Sequence, residues 1–367
     1  MSPRVLFITY KRSKNILEGG GQCSRNNFDC LSKLVGADNV TPCYIHDEYK
    51  KKTLWDYFCG ALFTLSNYYY GLSPLRVHRI VKEASHFDIV FIDRSIFGII
   101  AKKLKQSGYA GKIITYFHNV EKIYFGAKLS KRIPFRSLFL HCIDANDRYS
   151  CTYSNVVIAL NGRDGNLLRS LYDKNPDYLI PIALQDRCAL DVPSDELTDK
   201  RPLCLFLGTY FKPNNRGILW FVDQVLPHVD IQMRIIGKGM AKLKAENACL
   251  KDIEVLSDVP DLDPYLKQAD IMILPVFDGS GMKVKTCESL MFGKNIIATS
   301  EAFEGYTADY DRIGARCDTP AQFIEAINAF CKEPRPKYNR YSRSLYLSSY
   351  SNTSVMETFR TVLQNIN

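Results

Sequence analysis

The sequence predicts two doubly wound α/β domains in tandem. Three observations carry that expectation. At 367 residues the chain exceeds what one hydrophobic core usually organises. Short apolar runs alternate with helical periodicity in two successive series, the pattern of buried parallel strands joined by helices. Between the series, Pro181–Pro202 carries little strand signal and is rich in Asp and Pro (DVPSDELTDKRP), which reads as a linker.

Taken in order, the first series of strands is Val5–Tyr10, Ile89–Ile92, Lys112–Phe117 and Val156–Leu160. The second is Leu203–Leu207, Met233–Ile236, Ile253–Leu256, Ile271–Leu274 and Asn295–Thr299. The expected domains are residues 1–185 and 186–339. The last stretch, 340–367, is polar and Ser/Tyr-rich, then helical over Ser354–Ile366, with Val355, Phe359, Val362, Leu363 and Ile366 on one face. It is expected to pack back on the first domain. Sheets of this kind bind ligands beyond the carboxyl ends of their strands. The turns Gly19–Gly21, His118–Glu121, Gly208–Asn214 and Gly279–Gly281 are therefore expected to line a cleft.

Composition narrows the function. No apolar run is long enough for a transmembrane helix, and the first residues lack a signal peptide's apolar region, so a cytoplasmic protein is expected. The 12 cysteines are scattered with no C-x-x-C pair, which fits reduced, mostly buried thiols. The net charge of +9 is uneven. Residues 1–185 hold 26 Lys and Arg against 15 Asp and Glu, and the remainder holds 22 against 24. The basic half points to an anionic partner. No nucleic-acid-binding motif is present, so nucleic acid is not expected. An anionic membrane surface and a phosphorylated acceptor both fit. The basic-aromatic segments Leu54–Tyr70 and Glu121–Leu140, the latter with Lys122, Lys128, Lys131, Arg132 and Arg136, suit a membrane interface or the core of the first domain equally.

The stretch Pro275–Gly305 is the most specific. A strand runs into the turn Gly279–Ser280–Gly281, followed by Lys283 and Lys285 and then Glu288 in an amphipathic helix. Glycines let a ligand approach the backbone, amides at a helix start favour an anion, and the lysines add full charge. A carboxylate one turn deeper accepts hydrogen bonds from hydroxyls. Together they read as a site for a nucleotide diphosphate carrying a sugar. Phe206–Asn215 adds Gly208 for a tight turn, Lys212 and Asn214 for phosphate or sugar oxygens, and Asn214 or Asn215 as the cap of a helix from Arg216. In the first half, Glu18–Asn27 forms a glycine-rich loop with Gly20 and Gly21, and His118 and Asn119 end a strand. Asp93 and Arg94 end another. Two D-x-D triplets occur, Asp261–Asp263 and Asp309–Asp311; Asp263 precedes a proline and reads as an N-cap, and no metal is assigned.

These residues resemble the GT-B glycosyltransferases, specifically the group one branch of retaining glycosyltransferase family four. The resemblance rests on the Gly208–Asn214 loop, Ile235–Gly239 (IIGKG), Ser257–Asp270, and above all P-x-x-x-G-S-G-x-x-x-K-x-x-E-x-L-x-x-G from Pro275 to Gly293. It implies a sugar transferred from a nucleotide-diphosphate donor to an acceptor hydroxyl with retention, the donor being a co-substrate, with no further cofactor. It implies that Lys285, with Gly279, Ser280, Gly281, Lys283, Gly208, Lys212 and Asn214, holds the diphosphate and sugar. Glu288 holds the ribose, Gly237 and Val259 border the base, and His118 acts at the sugar. Gly20, Gly21 and Asn119 lie on the acceptor side. Many family members have a Glu eight residues before Glu288; here Ser280 stands there, and Thr209 and Asn214 replace an Arg and a Lys of the first loop. The family's acceptors are glycans or lipid-linked sugars, often at the inner face of the cytoplasmic membrane. A sugar-nucleotide epimerase of the same fold and a non-catalytic scaffold are the alternatives.

Overall fold

A computed structural model describes residues 2–11, 19–46, 60, 62–69, 71–130, 135–188, 196–198, 201–333 and 335–366. Residues 54–59, 61 and 70 of the Leu54–Tyr70 segment, Lys131, Arg132 and much of the expected linker lie outside the described residues. The chain divides into two units. The first is Met1–Pro181 with Val355–Asn367, and the second is Ile182–Ser354.

The first unit is built on a six-stranded parallel sheet in the order β2-β1-β3-β4-β5-β6. Its strands are β1 (Val5–Lys11), β2 (Val40–His46), β3 (Ile89–Ile92), β4 (Lys112–Phe117), β5 (Val156–Ala159) and β6 (Tyr178–Leu179). β3 is buried throughout and β4 in all but its first residue, as expected of strands covered on both faces by helices. Phe7 stacks on Phe91 across the β1–β3 pair, with ring centroids 5.3 Å apart. The terminal helix Asn352–Ile366 brings Phe359 to within 6.2 Å of the Phe91 ring, and Asn365 donates to the Tyr178 hydroxyl.

The second unit repeats the design with the order β12-β11-β10-β7-β8-β9. Its strands are β7 (Leu203–Leu207), β8 (Gln232–Gly237), β9 (Glu254–Ser257), β10 (Ile271–Leu274), β11 (Asn295–Ala298) and β12 (Gly314–Arg316). The core gathers Phe206, Phe221, Ile235, Ile273 and Phe323. The helix Arg340–Leu345 and the π-turn Tyr346–Tyr350 belong here rather than to the first unit, as 340–367 was expected to. Tyr346 donates to the Leu184 carbonyl, and the ring of Tyr350 lies 4.8 Å from that of Tyr306.

In each sheet the chain adds strands to one side and then returns to the other. The order reverses between β1 and β3, and again between β7 and β10. Loops leaving those pairs diverge and open a crevice beyond the strand ends. In the second unit the helix Lys212–Gln224, which follows β7, passes very close to the residues after β10. A Cβ on Gly217 would lie 1.8 Å from the Pro275 carbonyl oxygen. Gly217→Ala must therefore push this helix away from the β10 loop. The expected cost is about 1–3 kcal/mol in urea denaturation of the second unit; wild-type stability would show that the approach is not required.

Candidate active site

In the second unit the site grows from the β7 and β10 ends. Gly281 adopts φ 62°, a left-handed conformation suited to glycine. Lys283 turns back to donate to the Gly281 carbonyl at 2.8 Å and pairs with Glu301 at 2.7 Å. It closes the turn from inside. Gly279 is exposed and Ser280 half-buried on the same turn. The helix Val284–Met291 follows. Half-buried Lys285 points Nζ at the Asn214 Oδ1, 2.8 Å away, and lies 4.7 Å from the Phe206 ring centroid. Burial and the nearby Lys283 charge lower its pKa to about 7, against the pull of Glu288.

This contact corrects the capping expectation. The helix after β7 begins at Lys212, not Arg216, with Phe211 at its N-cap and no side-chain cap. Pro213 at the start fixes that boundary. Asn214 sits in the first turn, donates to the Thr209 carbonyl and accepts from Lys285. Lys212 is exposed beside it. Gly208 and Gly237 meet back to back, since a Cβ on Gly237 would fall 1.8 Å from the Gly208 oxygen. Half-buried Val259 follows Asp258, which bonds the Gly239 amide and thus ties the β8 and β9 loops together.

Glu288 is 6% exposed, one turn beyond Lys285. Burial raises its pKa, opposed chiefly by Arg187. Arg187 donates to Glu288 Oε1 at 3.1 Å and lies 3.2 Å from Asp263 Oδ1. Sequence reasoning missed Arg187, which stands in an unpatterned stretch with no motif. It also misplaced Asp263. That residue is the first of its helix rather than the cap, because Leu262 takes the cap position and Asp263 faces Arg187. Asp309 does cap a helix, accepting from the Arg312 amide. Among the described residues no group of three His, Cys, Asp or Glu side chains is placed to hold a metal ion.

In the first unit the β1, β3 and β4 ends converge. Asp93 is fully buried after β3. It accepts from Thr9 Oγ1 at 3.0 Å and Asn27 Nδ2 at 2.8 Å, and pairs with His118 Nε2 at 3.1 Å. Burial opposes its ionisation, but His118 and these hydrogen bonds hold its pKa below the ordinary value. For His118, burial lowers the pKa, and the Cys23 sulfur and the Asp93 carboxylate outweigh it, raising the value to about 9. The expected glycine-rich loop is instead the start of the helix Gly19–Val35, which carries Gly20 and Gly21. Gly20 makes room for Arg94, whose guanidinium would lie 2.6 Å from a Cβ there. Asn119 is half-buried in the bend after β4. Of the basic-aromatic segment, Phe125 and Phe139 pack against Tyr69, while Phe135 is 80% exposed and Lys122 pairs with Asp144.

Residues 201–333 match the family described as glycosyl transferases group 1. That stretch lies within the second unit. No curated protein matches. Solved structures similar to this chain are GT-B glycosyltransferases. Anabaena HepE in complex with UDP and glucose is 10% identical with TM-score 0.68, over 99% of this chain and 100% of that one. Sucrose-phosphate synthase from Thermosynechococcus elongatus is 12% identical with TM-score 0.69, over 99% and 98%. The lipopolysaccharide outer core galactosyltransferase WaaB is 15% identical with TM-score 0.66, over 99% of each chain. The GT-B fold is as the motifs implied.

The His118–Asp93 pair gives a pH signature. The folded His118 value lies above the ordinary 6.5, so its contribution to stability is complete below about pH 6.5 and is lost as pH rises through about 9. An NMR titration should place the His118 midpoint near 9 in the wild type. In Asp93→Asn, with that anion and its hydrogen bond gone, the midpoint should fall. The same midpoint in both proteins would refute the pairing.

Proposed function

We propose that the protein transfers a sugar, with retention of anomeric configuration, from a nucleotide-diphosphate sugar to a hydroxyl of a glycan or lipid-linked acceptor in cell-surface glycan synthesis. The observation that carries this reading is the placement of Lys285. Its amine rests on Asn214 and over Phe206, beyond the β7 and β10 ends where the sheet order reverses, beside the Gly279–Gly281 turn and at a helix start. That environment penalises a cation until an anion arrives.

The bond between the anomeric carbon and the β-phosphate oxygen breaks, and the acceptor oxygen bonds to that carbon on the same face. The acceptor proton passes to the departing phosphate, which needs no carboxylate nucleophile from the protein. Charge grows on the diphosphate as the bond breaks. Lys285, the turn amides and the helix dipole stabilise it more in the transition state than before. Glu288 accepts the ribose hydroxyls. Gly237 and Val259 border the base. Ser280 lacks the carboxylate that many family members direct at the donor sugar. His118 is held as an imidazolium by Asp93, and a cation is a poor neighbour for an oxocarbenium-like centre. Its role is therefore to donate a hydrogen bond to a sugar hydroxyl. Gly20, Gly21 and Asn119 belong to the acceptor side. The positive excess of residues 1–185 favours a phosphorylated or lipid-linked acceptor and work at the cytoplasmic membrane's inner face. Among the described residues no helix is long and apolar enough to cross a membrane.

Screening a panel of nucleotide sugars for thermal stabilisation identifies the donor. With that donor, Lys285→Ala should lower kcat/KM by about 10²–10³-fold, and Glu288→Ala should weaken binding in calorimetry. Unchanged affinity in both variants would sink the site. His118→Ala should lose turnover while donor affinity is largely kept. Because Lys285 titrates near neutral pH, donor binding at pH 8 should draw up to about one proton from solution, and almost none at pH 6. Calorimetry in buffers of different ionisation enthalpy reads this directly. Equal uptake by Lys285→Met would assign the proton elsewhere.

A further inference from the structure

Glu288 is set in a hydrogen-bonded frame that the group 1 match, ending on its N-terminal side at residue 201, does not include. Arg187 donates from one terminal nitrogen to Glu288 Oε1 at 3.1 Å, and its Nε lies 3.2 Å from Asp263 Oδ1. Its own amide donates to the Met291 sulfur. The preceding residue, Asp186, accepts both terminal nitrogens of Arg343 at 2.9 and 2.6 Å, and Arg343 also donates to the Met291 carbonyl. The Asp186–Arg187 backbone is thus fastened to the end of the helix that bears Glu288. Upstream, Leu184 bonds the Tyr350 carbonyl and then bridges to Ser351. A guanidinium held from several sides has little rotamer freedom left to lose, and its planar fork sets the carboxylate's orientation.

We propose that Arg187 is a positioning residue for nucleotide binding: by engaging Oε1 it fixes the Glu288 carboxylate so that Oε2 accepts the ribose hydroxyls. This rests on the ribose role given to Glu288 above. A buried carboxylate without its cation takes up a proton and becomes a weaker acceptor. The charged and titratable groups around Glu288 are Arg187, Asp263, Lys285, Cys287 and Tyr306. Of these only Arg187 donates it a hydrogen bond from a side chain among the described residues.

The test compares UDP, GDP, ADP and CDP with their 2′,3′-dideoxy counterparts by calorimetry, using the pair of highest affinity. In the wild type the ribose form should bind about tenfold or more tightly. Arg187→Gln should reduce that ratio towards one, with partial recovery as rising pH ionises Glu288. Arg187→Lys, which keeps the charge but not the fork, should fall between, its ratio rising at a higher pH than in the wild type. Glu288→Gln separates the two levels. If it leaves the wild-type ratio intact, the ribose role itself is wrong. If it abolishes the ratio while Arg187→Gln does not, the ribose role stands and the proposal for Arg187 falls. A ratio reduced equally at every pH in both Arg187 variants marks a merely structural residue and also overturns the proposal.

Discussion

The 2.8 Å bond from Lys285 to Asn214 joins the two sides of the crevice in the second unit. One partner sits in the first turn of the helix after β7, the other in the helix after β10. The contact requires the two helix starts to come together. The absent side chains of Gly217 and Gly208 allow this, the first against Pro275 and the second against the Phe206 ring and Asn214. Backbone packing, side-chain reach and the depressed lysine pKa are therefore one constraint. An anion in place of the Asn214 amide would restore full charge to the ammonium.

The buried charges at the strand ends fall into two groups. Asp93 and His118 are partnered within the first unit, Asp93 by Thr9, Asn27 and the imidazole. Charge there is already balanced and its geometry is set before any ligand binds. Lys285 has a neutral partner, and Glu288 has a cation on one oxygen only. A ligand changes the ionisation balance of the second pair far more than that of the first. This is the behaviour expected of groups that bind charge as opposed to groups that orient a donor.

Much of the architecture was legible in the sequence because buried parallel strands are continuous apolar runs. β7 and β10 follow the expected limits to the residue. β2 was missed because Val40–His46 contains Pro42 and polar residues and alternates poorly; it pairs only with β1, at the edge of the sheet. β6 and β12 are too short for periodicity to register. Glycines at Gly19–Gly21 were read as loop, yet here they open a helix whose tertiary packing outweighs their poor propensity. In the site, Lys285 and Asn214 were named but not their union. Arg187 left no trace, since a lone arginine in irregular chain has no spacing to read. Its meaning comes only from the fold that brings it to Glu288.

The clamp between Asp186 and Arg343 bears on what counts as the smallest working piece of this protein. Family resemblance marks out 201–333, but the compact unit runs from Ile182 to Ser354. The difference is two flanks that together hold Arg187, Arg343, Tyr346 and Tyr350. A fragment cut at the edges of the resemblance would keep its sheet and its lysine, yet would expose the back of the Glu288 helix and strip that carboxylate of its cation. Recognisable sequence and autonomous structure thus end at different residues, and the margin between them holds the parts that make the site rigid.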